Sequence, residues 1–223
     1  MATTVKNRTN IFSFIPKSVS SESFLVWLFN YFASDNKYSQ YQQFLWDSFL
    51  LKNEDKGKSV SDIVINHQQN DVEVVLTFHF KGMAESHDIL LLFGDKTSDI
   101  VLPEQLDRYR RFYPNCYQYI YYKVNYVTTI EEQCISRNRY GLITAGLIAT
   151  VLEPMAELHL LIEMYNDYLN SEADALNSYY EHIFLQHDKS ILLEFGAQKY
   201  LVNTMLENIA ENTWNIKLIY NGQ

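Results

Sequence analysis

A chain of 223 residues, 47% hydrophobic and 15% aromatic, can form one large domain burying roughly 70% of its unfolded surface, which excludes global disorder. With only 7 glycines and no GxxxxGK[ST] or GxGxxG, glycine-rich phosphate loops are excluded too. The net charge of −9 is uneven: residues 1–139 hold 15 basic and 16 acidic residues, and residues 140–223 hold 3 and 11. Such a chain does not attract phosphate backbones globally, so any nucleic-acid contact is expected where Lys96, Arg108, Arg110 and Arg111 cluster. A solvated helix face is the simpler account of that cluster.

Ser20-Ser21-Glu22 reads as a helix start, followed by Phe24, Leu25, Trp27, Leu28 and Phe32 at amphipathic spacing. A second helix is predicted over residues 39–51, then a polar loop to Lys58. The period then changes. Residues 62–66 suit a short strand, and over 72–80 Val72, Val74, Leu76, Phe78 and Phe80 share one face. Lys81 to Glu85 is a hairpin connection. The run Ile89 to Phe93 within 88–96 predicts a strand buried on both faces.

Residues 102–112 read as a helix with Pro103 in its first turn, and 117–124 as a tyrosine-rich strand. Beyond it, helices are predicted over 130–137, 142–152, 155–169, 172–184 and 198–211. The longest apolar run, Gly141 to Leu152, is about half the ~20 residues of a membrane span and reads as a buried core helix. No signal peptide is evident at the start, and no membrane association is expected. The two cysteines, Cys116 and Cys134, read better as buried thiols than as a bridge, which suits a cytoplasmic protein. The expected organisation is a single domain, 1–223, with an α/β core over 1–128 and a mainly helical extension, 129–223, packed on it.

The chemistry centres on Gly94-Asp95-Lys96-Thr97, which ends the buried strand, and on Gln105-Leu106-Asp107-Arg108-Tyr109 in the next helix. Together with Glu73 in Val72-Glu73-Val74-Val75 and Glu22 in Ser21-Glu22-Ser23-Phe24-Leu25-Val26-Trp27-Leu28, this order resembles the PD-(D/E)XK nuclease superfamily. The closest likeness is to the subgroup with an IDhh…EDKT…QLxxY pattern (h apolar), over roughly residues 10–125. The resemblance implies a restriction-endonuclease-like central mixed β-sheet flanked by helices, with a helical C-terminal extension. It also implies Mg²⁺- or Mn²⁺-dependent phosphodiester hydrolysis, with DNA the expected substrate.

On this likeness Glu73 is a metal ligand, Lys96 the catalytic lysine, Gln105 an assisting polar group, and Arg108 and Tyr109 position the phosphate. The chain departs from the pattern at Gly94, where the second metal carboxylate belongs. Asp95 points to the opposite strand face unless a bulge re-aims it; Glu22 or Glu104 are the other sources of a second ligand. Two readings stay open: a working nuclease with a relocated ligand, or a non-catalytic module on that fold acting through a protein or nucleic-acid partner, a homodimer included. None of the six histidines forms HExxH, no spacing suggests zinc, and no GxSxG occurs. Rings of Tyr117 to Tyr122 could stack on bases, although a partly buried sheet is the commoner use of such a strand.

Overall fold

The computed structural model describes residues 10–14, 17–67, 73–94, 103–124 and 127–194, together with 197–198, 200–202 and 204–205. Helix α1 spans Lys17–Ala33, and α2, Ser39–Leu45, runs on into one wider π turn, Trp46–Leu50. Ser20 and Ser21 therefore lie inside α1 rather than capping it, and Ser21 is fully buried.

Strands β1 (Val60–His67), β2 (Glu73–Phe80) and β3 (Ser86–Phe93) form an antiparallel meander. After α3 (Pro103–Phe112), strand β4 (Gln118–Lys123) joins parallel to β3. After α4 (Thr129–Arg137), strand β5 (Gly141–Thr144) joins parallel to β4. Among the described residues the result is a five-stranded mixed sheet with strands in chain order. An α/β class and a mixed sheet flanked by helices are what the sequence led us to expect.

The alternation in β3 divides the core. Ile89, Leu91 and Phe93 face a large cluster that includes Phe24, Leu25 and Leu28 of α1, while Leu90 and Leu92 face a smaller one with Leu106 and Tyr109 of α3 and Ile135 of α4. A strand covered on both faces needs apolar residues at every position, and this one has them from Ile89 onward. In β1, Asp62 takes a left-handed φ of 51°, and the pairing register shifts between Ser61 and Val64. Aspartate is among the residues that visit this region readily.

The predicted helix over 142–152 is corrected: Gly141–Thr144 is a strand, and only Ala145–Leu152 (α5) is helical. A continuous apolar run carries no period that separates a short buried strand from a buried helix. Thr144 makes the break, its hydroxyl accepting from the Leu147 N–H at 3.4 Å as the α5 cap. The helices predicted over 155–169 and 172–184 are corrected likewise. A 3-10 turn, Glu153–Leu158, precedes one long helix, α6 (Leu160–Tyr180), which ends in a π turn, Glu181–Leu185. Ser171 starts nothing; its hydroxyl donates back to the Tyr168 carbonyl at 2.8 Å. Of the helix predicted over 198–211, residues 198, 200–202 and 204–205 are helical, and 199, 203 and 206–211 lie outside the described residues. Among the described residues no helix is long and apolar enough to cross a membrane.

Candidate functional site

Of the residues singled out in the sequence, positions 73 and 94 lie on the face of the sheet beneath α3 and α4. Antiparallel register sets Glu73 opposite Leu92, and parallel register sets Leu92 beside Tyr121. Residue 94 follows two positions after Leu92, where the Gly94 N–H donates to the Tyr122 carbonyl at 2.9 Å and carries the β3–β4 ladder one step further. Cross-strand partners share a face, so positions 73, 92, 94 and 121 form one patch.

Gly94 has no left-handed backbone; what it provides is room. A Cβ at this position would fall on the Tyr121 phenol, 2.5 Å from Cζ and 2.6 Å from Cε1, well inside the ~3.5–4.0 Å of a comfortable carbon contact. Tyr121 is itself buried in the smaller core. The space in which a side chain at 94 would start is thus filled by an aromatic ring from the neighbouring strand.

One strand position beyond Tyr122, Lys123 is buried with Glu131 of α4. Its Nζ donates to Glu131 Oε1 at 2.6 Å, with both side chains 3% exposed. Glu131 also closes a capping box at the start of α4. Its Oε2 accepts from the Thr128 N–H at 3.1 Å, and Thr128 Oγ1 accepts from the Glu131 N–H at 3.1 Å. The carboxylate therefore satisfies an otherwise unpaired helix-end donor and neutralises a buried cation at once.

Above the patch, α3 presents Gln105 half-buried and Tyr109 buried. The rings and carbonyls of the chain itself take up its arginines. Arg110 donates to the Asn138 carbonyl at 2.8 Å and lies 4.9 Å from the Tyr119 ring centre. Arg111 pairs with Asp107, and Arg108, although exposed, lies over Tyr109 at 5.3 Å. Tyr119, Tyr121 and Tyr122 are all buried, so those rings form sheet core, not a stacking platform. Burial pushes the Cys116 thiol up to about 11, with Asp88 adding to the shift. Both cysteines are free.

Of the remaining expected site residues, Glu22 is buried on α1, whose Phe24 and Leu25 pack on the opposite face of the sheet. Glu104 is exposed in the first turn of α3. Asp95 and Lys96, and the side chain of Glu73, lie outside the described residues. Among the described residues no group of three or more His, Cys, Asp or Glu could hold a metal ion. Position 94 does not fit a carboxylate ligand while Tyr121 fills its space, so we derive no hydrolytic step through Mg²⁺ or Mn²⁺.

Sequence reasoning missed Lys123 and Glu131, and the packing of Tyr121 on Gly94. A signal was present for the last: Thr128-x-x-Glu131 is a capping-box spacing. No known protein family, curated protein or solved structure matches the chain.

Proposed function

We propose that this chain is a non-catalytic interaction module built on a PD-(D/E)XK-like scaffold, and that it acts through a protein partner. The observation that carries this reading is the close approach of Tyr121 to Gly94. The position that corresponds to the second metal carboxylate is closed by a buried phenol, and a ligand there would have to displace it. The engagement of Arg110 within the chain and the net charge of −9 weigh against a nucleic-acid grip.

The test is incubation of plasmid and single-stranded DNA with Mg²⁺ or Mn²⁺, using the wild type and Lys96→Ala. No cleavage by either is expected. Metal-dependent cleavage lost in Lys96→Ala would overturn the proposal. It would establish the second reading, a nuclease with Glu73 as ligand, Lys96 as catalytic lysine and a ligand relocated to Asp95. That reading draws support from the register that places position 73 against Leu92, two residues before Gly94.

A further inference from the structure

The proposal of a protein partner does not say where that partner sits. Strand β1 is one edge of the sheet, and α2 lies beside its first residues, leaving a cleft of about 410 Å³ between them. That volume falls within the roughly 300–1,000 Å³ of clefts that hold ligands. One wall is residues 59–61 with Lys81 next to them, and the other presents the amides of Asn36, Gln40 and Gln42. Strand pairing leaves main chain open to this space. Val60 stands opposite Phe80, and the Lys81 N–H donates to the Ser59 carbonyl at 2.8 Å. In an antiparallel ladder the bonded residues alternate with residues whose main-chain groups turn outward, so the Val60 N–H and carbonyl point away from β2. Neither has a partner among the described residues.

An unpaired edge is a template for a further strand, and two features decide which kind. The first is length. Asp62 takes a left-handed φ of 51°, and the register shifts between Ser61 and Val64, a bulge that interrupts regular pairing just past the cleft. A long strand is not accommodated there; a chain end is. The second is charge. Lys81, at the Ser59 end, is the one charged side chain among the described residues that line the cleft, and it has no ion-pair partner among them. The exposed Asp62 carboxylate lies past the other end, where it accepts from Ser61 Oγ at 3.1 Å. A strand laid antiparallel to β1 finishes at the Ser59 end, so its last carboxylate meets the ammonium and stays clear of the aspartate. We propose that this cleft binds the free carboxyl terminus of a partner polypeptide, laid antiparallel along residues 59–61. Val60 supplies the main-chain pairing and Lys81 the charge, while the amides opposite hydrogen-bond polar side chains near the terminus.

This inference rests on the interaction-module reading, and its test separates the two. The probe is the acetylated tetrapeptide Ala-Gln-Ser-Ala with a free carboxyl terminus, and its amidated twin lacks only the charge. Each is titrated into the isotope-labelled full chain, into Lys81→Gln and into Val60→Pro, with backbone amide resonances followed. Lys81 is exposed, and proline is tolerated as the first residue of an edge strand, so both variants keep the fold. The acid is expected to shift the resonances of Val60 and Lys81 and to weaken as salt is raised. The amide is expected to bind at least about tenfold more weakly. Lys81→Gln should bind the two peptides equally, and Val60→Pro should bind the acid at least about tenfold more weakly than the wild type does.

Equal binding of acid and amide to the wild type, or an acid–amide difference that survives in Lys81→Gln, would overturn the inference. So would N-acetylalanine binding as tightly as the tetrapeptide, because the cleft would then hold a small carboxylate and not a chain end. Absence of any shift at Val60 or Lys81 up to about 10 mM peptide would overturn it as well; that is the outcome if residues 206–223 of the chain itself fill the cleft. Peptide binding together with Lys96-dependent DNA cleavage would sink the non-catalytic reading and leave the cleft standing. No binding and no cleavage would do the reverse.

Discussion

The packing of Gly94 under Tyr121 makes a quantitative prediction for a double-mutant cycle. In Gly94→Ala the added methyl group overlaps the phenol by about 1 Å against a normal carbon contact, and the 2.5 Å approach to Cζ leaves the ring no slack. Tyr121 is 4% exposed and cannot swing into solvent, so the substitution costs about 1–3 kcal/mol as overpacking. Tyr121→Ala alone removes a buried ring and costs about 3–5 kcal/mol. In the double variant the methyl group at 94 enters the space the ring has left, and the first cost disappears. The double variant is therefore less destabilised than the sum of the singles by about 1–3 kcal/mol. Equilibrium urea unfolding at constant m measures this, and in a chain of this size each kcal/mol moves Tm by roughly 2–4 °C. Additivity within ~0.5 kcal/mol, or a neutral Gly94→Ala, would refute the packing argument and reopen position 94 to a ligand.

Three further outcomes follow from local geometry. Lys123→Met leaves the Glu131 carboxylate buried without its cation and is expected to cost about 3–5 kcal/mol. Adding Glu131→Gln, which keeps an acceptor for the α4 cap, should recover part of that loss in the same unfolding assay; a double variant worse than the sum would contradict the pairing. Arg139 holds a left-handed φ of 59° just past α4, where its N–H donates to the Ser136 carbonyl and the Tyr140 N–H to that of Ile135. Arg139→Gly should thus raise stability by about 1 kcal/mol, and a loss of stability would show that its side chain matters more than its backbone. The Lys58 ammonium, 2.5 Å away, and then the Tyr117 hydroxyl hold the Asp55 carboxyl below its ordinary value of 3.8. A depressed folded value gives stability present above the unfolded value and lost as pH falls through the folded one. Asp55→Asn should accordingly flatten the fall in stability below about pH 4, and unchanged steepness there would count against the contact.

Elements whose period is strong were legible in the sequence. The alternation of Val74, Leu76, Phe78 and Phe80, the unbroken run from Ile89 and the Pro103 helix start all correspond to elements of the fold. Strand β5 was not legible, because Leu142 and Ile143 merge into the apolar run of α5 and only the Thr144 cap divides them. Gly94 stood out in the sequence as a departure from the expected pattern. The close approach of Tyr121 did not, because it comes from 27 residues on, through a parallel pairing that no local pattern encodes. Lys123 was hidden for a related reason: a lysine closing a tyrosine strand reads as solvent-facing until a helix is folded over it.

Strand order that follows chain order has a consequence for biosynthesis. In this order each strand emerging from the ribosome can add to the free edge left by its predecessor, and none has to insert between two that have already paired. The helices that cross between β3, β4 and β5 shelter one face of the growing sheet as it widens. Until the last strand docks, a long edge stays open to pairing with a neighbouring nascent chain. The last of the described strands has only four residues, so by itself it offers a foreign strand very little to zip onto.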